Sequence, residues 1–304
     1  MSYLSNVSKG VQDFSQFLIA YGPEAVGKTT FAYHSGKNVL FLDLEAGSKF
    51  LDTSRIKIES FDQMMGILEE LLSGKHNYDS VAIDSVDHFE SLLWEQVCAD
   101  KSKGGKKVTN IEDFGYGKGY VIALSYWDRF LQLCKKLVEQ KVCNVVLICH
   151  SHVRKYEDPE GEAYDRYELK LNHKASSLLK ETVDTVLFLN FKVHTKTNDN
   201  GKTKAFSTGE RVMFTERRAA FDAKNRSSLP FEIPLSWDAY MEAVESRKQL
   251  SSEVLIQEIQ DMLKGIQDES TKKSINEFVS KNKDNKTKLQ QAHQRITTMR
   301  TLNS

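Results

Sequence analysis

Residues 22–29 read Gly-Pro-Glu-Ala-Val-Gly-Lys-Thr and match the pattern G-x-x-x-x-G-K-[ST] at every fixed position. An apolar run, Phe17–Tyr21, precedes this segment, and a helical pattern follows it at Thr30–Ser35. This order of strand, loop and helix is the context in which the pattern forms a phosphate-binding loop. The backbone N–H groups of such a loop, together with the start of the following helix, bind anions. The motif therefore predicts a site for a nucleoside triphosphate, and we expect ATP.

Each position of this loop has a predicted role. We expect the amine of Lys28 to reach the β- and γ-phosphates, and the hydroxyl of Thr29 to ligate Mg²⁺. The predicted nucleotide-binding residues are Gly22, Pro23, Glu24, Ala25, Val26, Gly27, Lys28, Thr29 and Thr30. ATP and Mg²⁺ are therefore the expected cofactors.

The first half of the chain alternates short apolar runs with helical patterns, which predicts an α/β fold with a mainly parallel sheet. The apolar runs lie at 17–21, 39–44, 80–84, 142–149 and 185–190, and the helical patterns at 61–72, 89–99 and 119–138. Near-continuous apolar runs of this kind are typical of strands that are covered on both faces. Alternating patterns at 166–171 and 204–214 predict hairpin strands.

The last part of the chain differs in composition from the rest. We predict a boundary near residues 245–252, with a core domain at 1–248 and a small helical appendage at 249–304. Within the appendage, 254–264 and 275–299 have polar helical patterns, and residues 271–304 contain eight Lys and Arg against two Asp and Glu. Two interpretations stay open: a solvated helical appendage, or a basic arm that contacts nucleic acid or a neighbouring subunit.

The charge balance and the cysteines restrict the possible partners and location. Lys and Arg number 42, as do Asp and Glu, so nucleic-acid binding has to come from local patches. The four cysteines form no C-x-x-C pair, which favours reduced thiols. No apolar run approaches the roughly 20 residues needed to span a bilayer, and the N-terminus lacks the apolar stretch of a signal peptide. We expect a soluble, cytoplasmic protein without a membrane partner.

A second feature of nucleotide sites is an acid at the end of the strand Ser80–Asp84. Ligands of open α/β sheets bind at the carboxyl ends of the strands. We therefore expect Asp84 beside the Mg²⁺ that Thr29 also contacts.

Other segments resemble the RecA family of ATPases. The segment Val39–Glu45, Val-Leu-Phe-Leu-Asp-Leu-Glu, is similar to the strand that carries the family's catalytic glutamate, which implies that Glu45 polarises the attacking water. His150, at the end of 142–149, resembles the polar residue that senses the γ-phosphate. The alternatives are a surface carboxylate for Glu45 and a structural hydrogen-bonding role for His150.

The segment Phe221–Arg226 resembles the K-x-R element of hexameric RecA-like helicases and of phage RecA-like ATPases. The resemblance implies that Lys224 and Arg226 reach the γ-phosphate bound by a neighbouring subunit, where a cation stabilises transition-state charge. An ordinary pair of surface cations is the alternative. If the resemblance holds, the protein works as a homo-oligomer, either a ring or a filament.

Taken together, residues 16 to about 235 resemble phage-type RecA-like ATPases, which are linked to single-strand annealing. The stretches 111–120 and 158–167 carry this part of the resemblance. It implies a RecA-like P-loop core that acts on single-stranded DNA in the cytoplasm of a phage host. Single-strand-binding or other recombination proteins would be further partners.

Basic and aromatic residues in these regions are candidates for DNA contact. A flexible basic loop contributes Lys101, Lys103, Lys106 and Lys107, a glycine-rich aromatic stretch contributes Tyr116 and Lys118, and the segment after the presumed sensor contributes Arg154 and Lys155. Aromatic rings and cations together suit base stacking and phosphate contact on single strands. Solvated loops and core aromatics are the alternative interpretation.

Three functions are compatible with these features. We favour an ATPase that promotes annealing or strand exchange. A ring helicase or translocase would use the same core as a motor, and ATP-dependent duplex unwinding would identify it. A nucleotide-dependent scaffold or loader would need little turnover.

Overall fold

The computed structural model describes residues 15–102, 108–159, 161–197, 203–249, 252–264, 266 and 268–302. Across these residues the chain forms nine strands and nine α-helices. The chain divides between residues 243 and 244 into two compact units.

The strands of the first unit form one sheet. They are β1 Phe17–Gly22, β2 Val39–Asp43, β3 Ser54–Lys57, β4 Ser80–Asp84, β5 Asn144–Tyr156, β6 Tyr164–Leu169, β7 Thr185–Thr197, β8 Thr203–Phe214 and β9 Glu232–Pro234. The strand order is β3-β2-β4-β5-β1-β7-β8-β9, and β6 pairs with β5. All pairs from β3 to β7 along this order are parallel, whereas β6, β8 and β9 pair antiparallel. The prediction of an α/β fold with a mainly parallel sheet is confirmed.

Helices connect the strands and form the end of the chain. They are α1 Lys28–Tyr33, α2 Phe61–Leu72, α3 Val86–Ser102, α4 Lys118–Glu139, α5 His173–Thr182, α6 Trp237–Gln249, α7 Ser252–Leu263, α8 Glu269–Lys281 and α9 Lys286–Leu302. Helix α2 has the bounds predicted from its pattern, because the hydroxyl of Ser60 accepts a hydrogen bond from the N–H of Gln63 and caps its start.

The core of the first unit explains why the apolar runs became central strands. Every residue of β1, β2 and β4 is buried, as expected for strands covered on both faces. On one side, Phe89 packs against Trp127 and Phe130, which joins α3 to α4. This packing fixes the strands whose carboxyl ends carry the polar residues of interest.

Several elements differ from the sequence-based expectation. β3 has an exposed, polar sequence at the sheet edge and therefore lacks an apolar pattern. β5 continues past residue 149 to Tyr156, and the hairpin strand expected at 166–171 lies at Tyr164–Leu169. The helical pattern at 275–299 is divided between two helices, α8 and α9, because α8 is capped at Asn282.

The second unit has a small apolar core of its own. Its buried residues are Leu255, Ile259, Leu263, Val279, Leu289, Ala292 and Ile296. Spacings of three and four residues place each set on one helix face. In the part of the chain that the structure describes, no helix has the length and apolar character required to cross a bilayer.

Candidate functional site

The loop predicted to bind phosphate connects β1 to α1 at the carboxyl edge of the parallel strands. Gly27 has a φ of 111° and precedes α1, and Ala25 also has a positive φ of 59°. Glycine at position 27 is required by this backbone conformation, which is unfavourable for a residue with a side chain. The loop therefore has a wound backbone of the kind that turns several N–H groups toward an anion.

Lys28 is buried beneath this loop. Its Nζ donates to the carbonyl of Gly22 at 3.0 Å and to that of Pro23 at 2.8 Å. Burial lowers the pKa of the amine, while the nearby charge of Asp84 acts in the opposite direction. A buried cation held by two neutral carbonyls is partly uncompensated, so an anion such as a phosphate is a favourable partner for it.

Thr29 and Asp84 meet where the loop faces the end of β4. The Thr29 hydroxyl donates to Oδ2 of Asp84 at 2.8 Å. Burial raises the pKa of Asp84 to about 6; the bond from Thr29 lowers it, and the charge of Glu45 raises it further. A hard divalent cation bound by these oxygens would relieve the cost of this buried carboxylate. The donor set therefore fits the predicted Mg²⁺ site.

Gly47 leaves room beside this pair of oxygens. A Cβ atom built on Gly47 would lie 3.3 Å from Oδ2 of Asp84 and 3.8 Å from the hydroxyl oxygen of Thr29. Any side chain here would thus enter the space that a metal bound by both residues needs.

Asp43 organises the segment that carries Glu45. One carboxylate oxygen accepts from the N–H of Glu45 at 3.1 Å, and the other accepts from the N–H and the hydroxyl of Ser48. Asp43 is itself buried at the end of β2. It thereby fixes the loop after β2 and has a supporting role.

Glu45 lies within a cluster of polar side chains at the same sheet edge. The hydroxyl of Ser85 donates to Oε1 of Glu45, and Nδ1 of His88 lies 2.8 Å from the same oxygen. Nδ1 of His150 is 3.6 Å from it. Glu45 is about one fifth exposed, so it is a partly buried carboxylate near the expected metal and not a freely solvated loop residue.

His150 pairs with Asp87, which lies in the first turn of α3. Asp87 accepts from the backbone N–H of His150 at 3.1 Å and lies 3.0 Å from its Nδ1. Burial raises the pKa of Asp87, but the bonds from His150 and Ser85 outweigh it and lower the pKa to about 2. The bond to Asp87 raises the pKa of His150. Asp87 therefore belongs to the site through its contact with His150.

These side chains also form a potential ligand set. Glu45, Asp87, His88 and His150 each offer one ligand atom, and these atoms lie within 4.8 Å of one another. Two imidazoles and two carboxylates suit several transition metals. The hydrogen bonds among them already satisfy the same atoms, which is sufficient to explain the cluster.

Lys224 and Arg226 lie near the amino ends of the parallel strands, opposite the phosphate loop. Lys224 is bridged to Val186, at the start of β7, and its Nζ donates to the carbonyls of residues 180, 181 and 183 at 2.7–3.1 Å. All three donors of the ammonium are thus used at the end of α5. Arg226 is exposed and pairs with Asp184 at 2.8 Å. Neither cation reaches the phosphate loop of its own chain.

The candidate DNA-contacting residues lie on three elements. Lys101 is exposed at the end of α3, and Lys103, Lys106 and Lys107 lie outside the described residues. Tyr116 is fully exposed between two glycines of positive φ, next to the exposed Lys118 that begins α4.

Arg154 and Lys155 are exposed, but they do not follow the sensor strand as expected. They lie in β5, which forms an antiparallel hairpin with β6. In the register of this hairpin, Arg154 lies opposite Arg166 and Lys155 lies opposite Asp165. The hairpin was not foreseen at residue 154, because exposed strand ends lack the apolar pattern of the core.

Ser85, His88 and Arg211 are site residues that the sequence did not indicate. Ser85 directly follows Asp84, so its position in the motif was a usable signal. No sequence signal pointed to His88, because its contact with Glu45 depends on the alignment of β2 beside β4. Arg211 lies on β8 and approaches Gly27: its Nη1 is 3.3 Å from a Cβ built there.

Comparisons with known proteins place this site in a family. A solved structure that resembles the chain is that of the RadB recombinase, with 15% sequence identity, coverage of 74% of this chain and 90% of that chain, and a TM-score of 0.40. No curated protein matches the sequence. A family model described as an AAA domain matches residues 16–227, which include the phosphate loop, Asp84 and Glu45. This match covers more than half of the chain, which therefore belongs to the AAA domain family.

Proposed function

We propose that this protein hydrolyses ATP in the presence of Mg²⁺, and that it uses this cycle to bind and release single-stranded DNA in phage-type recombination. The observation that carries the proposal is the position of Glu45. Its Oε1 accepts from the hydroxyl of Ser85, the residue directly after Asp84, and Asp84 itself accepts from the hydroxyl of Thr29 at 2.8 Å. A water-activating group and the groups for nucleotide and metal thus converge at one sheet edge.

The loop residues bind and orient the triphosphate in this proposal. Lys28 exchanges its bonds with the carbonyls of Gly22 and Pro23 for bonds with the β- and γ-phosphates. Thr29 and Asp84 hold the Mg²⁺, which neutralises charge on the phosphates when it is bound. Thr29 already donates to Asp84 at 2.8 Å, so these two groups need little reorganisation at the moment of reaction.

Glu45 orients the attacking water. Ser85 and His88 both engage Oε1, and within the described residues Oε2 accepts no hydrogen bond. Oε2 is therefore the oxygen that receives a proton from water. His150, held by Asp87, senses the γ-phosphate beside it, because its imidazolium can donate to a phosphate oxygen.

The variant Glu45→Gln tests this assignment directly. It should bind ATP with an unchanged dissociation constant and lose at least 100-fold in turnover, in line with the contribution of general bases. Lys28→Ala should weaken binding itself and serves as the positive control. Equal loss of ATP affinity in Glu45→Gln would exclude a role that is limited to water activation.

The second part of the proposal is a shared active site between subunits. Arg226 lies at the sheet edge opposite its own phosphate loop, with Asp184 as its partner. In an oligomer it would leave this exposed ion pair, which costs little to break, and stabilise charge on a neighbour's γ-phosphate. Lys224 remains part of the proposal as the residue that holds the segment carrying Arg226.

Mixing two inactive variants tests the shared site. Arg226→Ala and Glu45→Gln each lose turnover alone, but an interface between one of each contains one complete site. Mixed assemblies should recover part of the activity. If mass photometry shows that the subunits co-assemble and turnover stays absent, Arg226 does not act in trans.

The DNA-binding part of the proposal concerns the exposed cations and Tyr116. Replacing Arg154 and Lys155 with Ala should weaken binding of single strands of any sequence, and the salt slope should become shallower by roughly 0.7 per lost phosphate contact. Lys135→Ala, an exposed cation paired with Glu139 on α4, is the matched control. Annealing assays with the same proteins identify the reaction, and ATP-dependent unwinding of a duplex would identify a motor instead.

We further propose that residues 1–248 carry these activities as a core, and that 249–304 form a helical appendage. The basic character of 271–304 favours contact with DNA or a neighbouring subunit. A chain truncated after residue 248 should keep ATP binding. Loss of ATP binding on truncation would show that the core needs the appendage.

A further inference from the structure

Arg211 is a cation beside the phosphate loop that takes no part in the proposed hydrolysis. It is exposed on β8, and its Nη1 lies 3.3 Å from a Cβ built on Gly27. Cδ2 of Leu235, just after β9, lies 3.5 Å from the same point. Residues of β8 and of the segment after β9 thus border the loop.

The guanidinium of Arg211 is free to bind a ligand. It lies over the ring of Phe191, with 5.7 Å between Cζ and the ring centroid. Among the described residues, no carboxylate or carbonyl pairs with this side chain. The nearby Lys192 differs, since its Nζ is 2.6 Å from Glu232 and 3.6 Å from Glu210. Arg211 is therefore a preorganised, planar cation without a counterion.

The strand order indicates which end of a nucleotide meets Arg211. Asp84 and Glu45 follow β4 and β2, which lie on one side of β1, whereas β7, β8 and β9 lie on the other side. A triphosphate whose γ-phosphate and metal face Asp84 and Glu45 has its nucleoside directed away from them. The nucleoside end is then directed toward Arg211, Phe191 and Leu235.

We propose that Arg211 and Phe191 form the base-binding platform of this site, with the guanidinium stacking on a purine and Leu235 covering its edge. This inference rests on the proposed binding of ATP and adds the residues that recognise its base, which would admit any purine nucleoside triphosphate. A guanidinium plane stacks on aromatic faces, which an ammonium cannot do. Stacking on a base contributes to nucleotide affinity, so we expect loss of the platform to weaken binding about tenfold, or about 1.4 kcal/mol.

Calorimetric titration with two ligands tests the platform. One ligand is the Mg²⁺ complex of AMP-PNP, a non-hydrolysable ATP analogue, and the other is Mg²⁺-tripolyphosphate, which has no base. Arg211→Ala should bind AMP-PNP about tenfold more weakly and tripolyphosphate as wild type does. Arg211→Lys, which keeps the charge without the plane, should show most of the same loss. Lys192→Ala is the matched control and should leave both affinities unchanged.

If Arg211→Ala weakens both ligands and Arg211→Lys restores them, Arg211 is a phosphate-binding cation and the platform is overturned. Unchanged affinity of Arg211→Ala for AMP-PNP overturns it as well. If wild type binds neither ligand, the proposed nucleotide binding is overturned, and the base platform is overturned with it. Base preference is an independent check: wild type should bind ATP and GTP more tightly than CTP and UTP, and Arg211→Ala should reduce that difference.

Discussion

Oε1 of Glu45 lies 2.8 Å from Nδ1 of His88, so the end of β2 is linked to the first turn of α3. Ser85 donates to the same oxygen. Two partners on one oxygen fix the plane of the carboxylate, and no described residue donates to the other oxygen. The contact makes His88 a positioning residue for Glu45, without a contact of its own to the reacting atoms.

Replacement of His88 should therefore reduce turnover and leave substrate binding unchanged. We expect His88→Ala to lower kcat about fivefold, corresponding to about 1 kcal/mol for a partly exposed, charge-assisted hydrogen bond. KM for ATP should stay within twofold of wild type. His34→Ala, at an exposed histidine after α1, is the control. Steady-state kinetics with an unchanged kcat would rule out the positioning role.

The space beside Thr29 and Asp84 should tolerate no added methyl group at Gly47. The new Cβ of Gly47→Ala would lie 3.3 Å from Oδ2 of Asp84, so we expect a several-fold higher Mg²⁺ concentration for half-maximal activity. Gly66→Ala is the matched control, since nothing lies within 4 Å of its Cβ and alanine is the better helix former in α2. Magnesium titrations that overlap for Gly47→Ala and wild type would contradict the metal site.

Glu90 should make stability depend on pH. Burial raises its pKa from 4.5 to about 7, and Oε1 has no hydrogen-bond partner among the described residues. Between these values the folded state holds a proton that the unfolded state has released. Stability is therefore present below the unfolded pKa and is lost as pH rises through about 7, by roughly 3 kcal/mol. Urea unfolding of Glu90→Gln at pH 5 and pH 8 should show a smaller difference than wild type; an equal difference would exclude this carboxyl as the cause.

Lys224 should contribute to stability more than Arg226 does. Its ammonium binds three carbonyls at the end of α5, where a cation also interacts favourably with the helix dipole. We expect Lys224→Ala to lower the free energy of unfolding by about 1–2 kcal/mol, and Arg226→Ala, which breaks an exposed pair, by under 1 kcal/mol. The reverse order in thermal unfolding would show that the carbonyl contacts of Lys224 do not hold α5.

The sequence by itself was sufficient for the features that are local. The phosphate loop is contiguous, so its residues needed no tertiary information. The buried strands were visible because burial on both faces demands continuous apolar residues, as in β4, and this also positioned Asp84 at a strand end. Helix α2 was predictable to the residue from its apolar periodicity, and Ser60 caps it at the predicted start.

Tertiary structure decided what strand order and register bring together. The contact between His88 and Glu45 needs β2 beside β4, and that of Arg211 with Gly27 needs β8 near β1. Polar residues follow no periodic pattern, so their partners could not be read from spacing. The same holds for Lys224, whose K-x-R context gave no sign of the helix end that it caps. Apolar periodicity encodes which face is buried, whereas the pairing of polar side chains follows only from the assembled sheet.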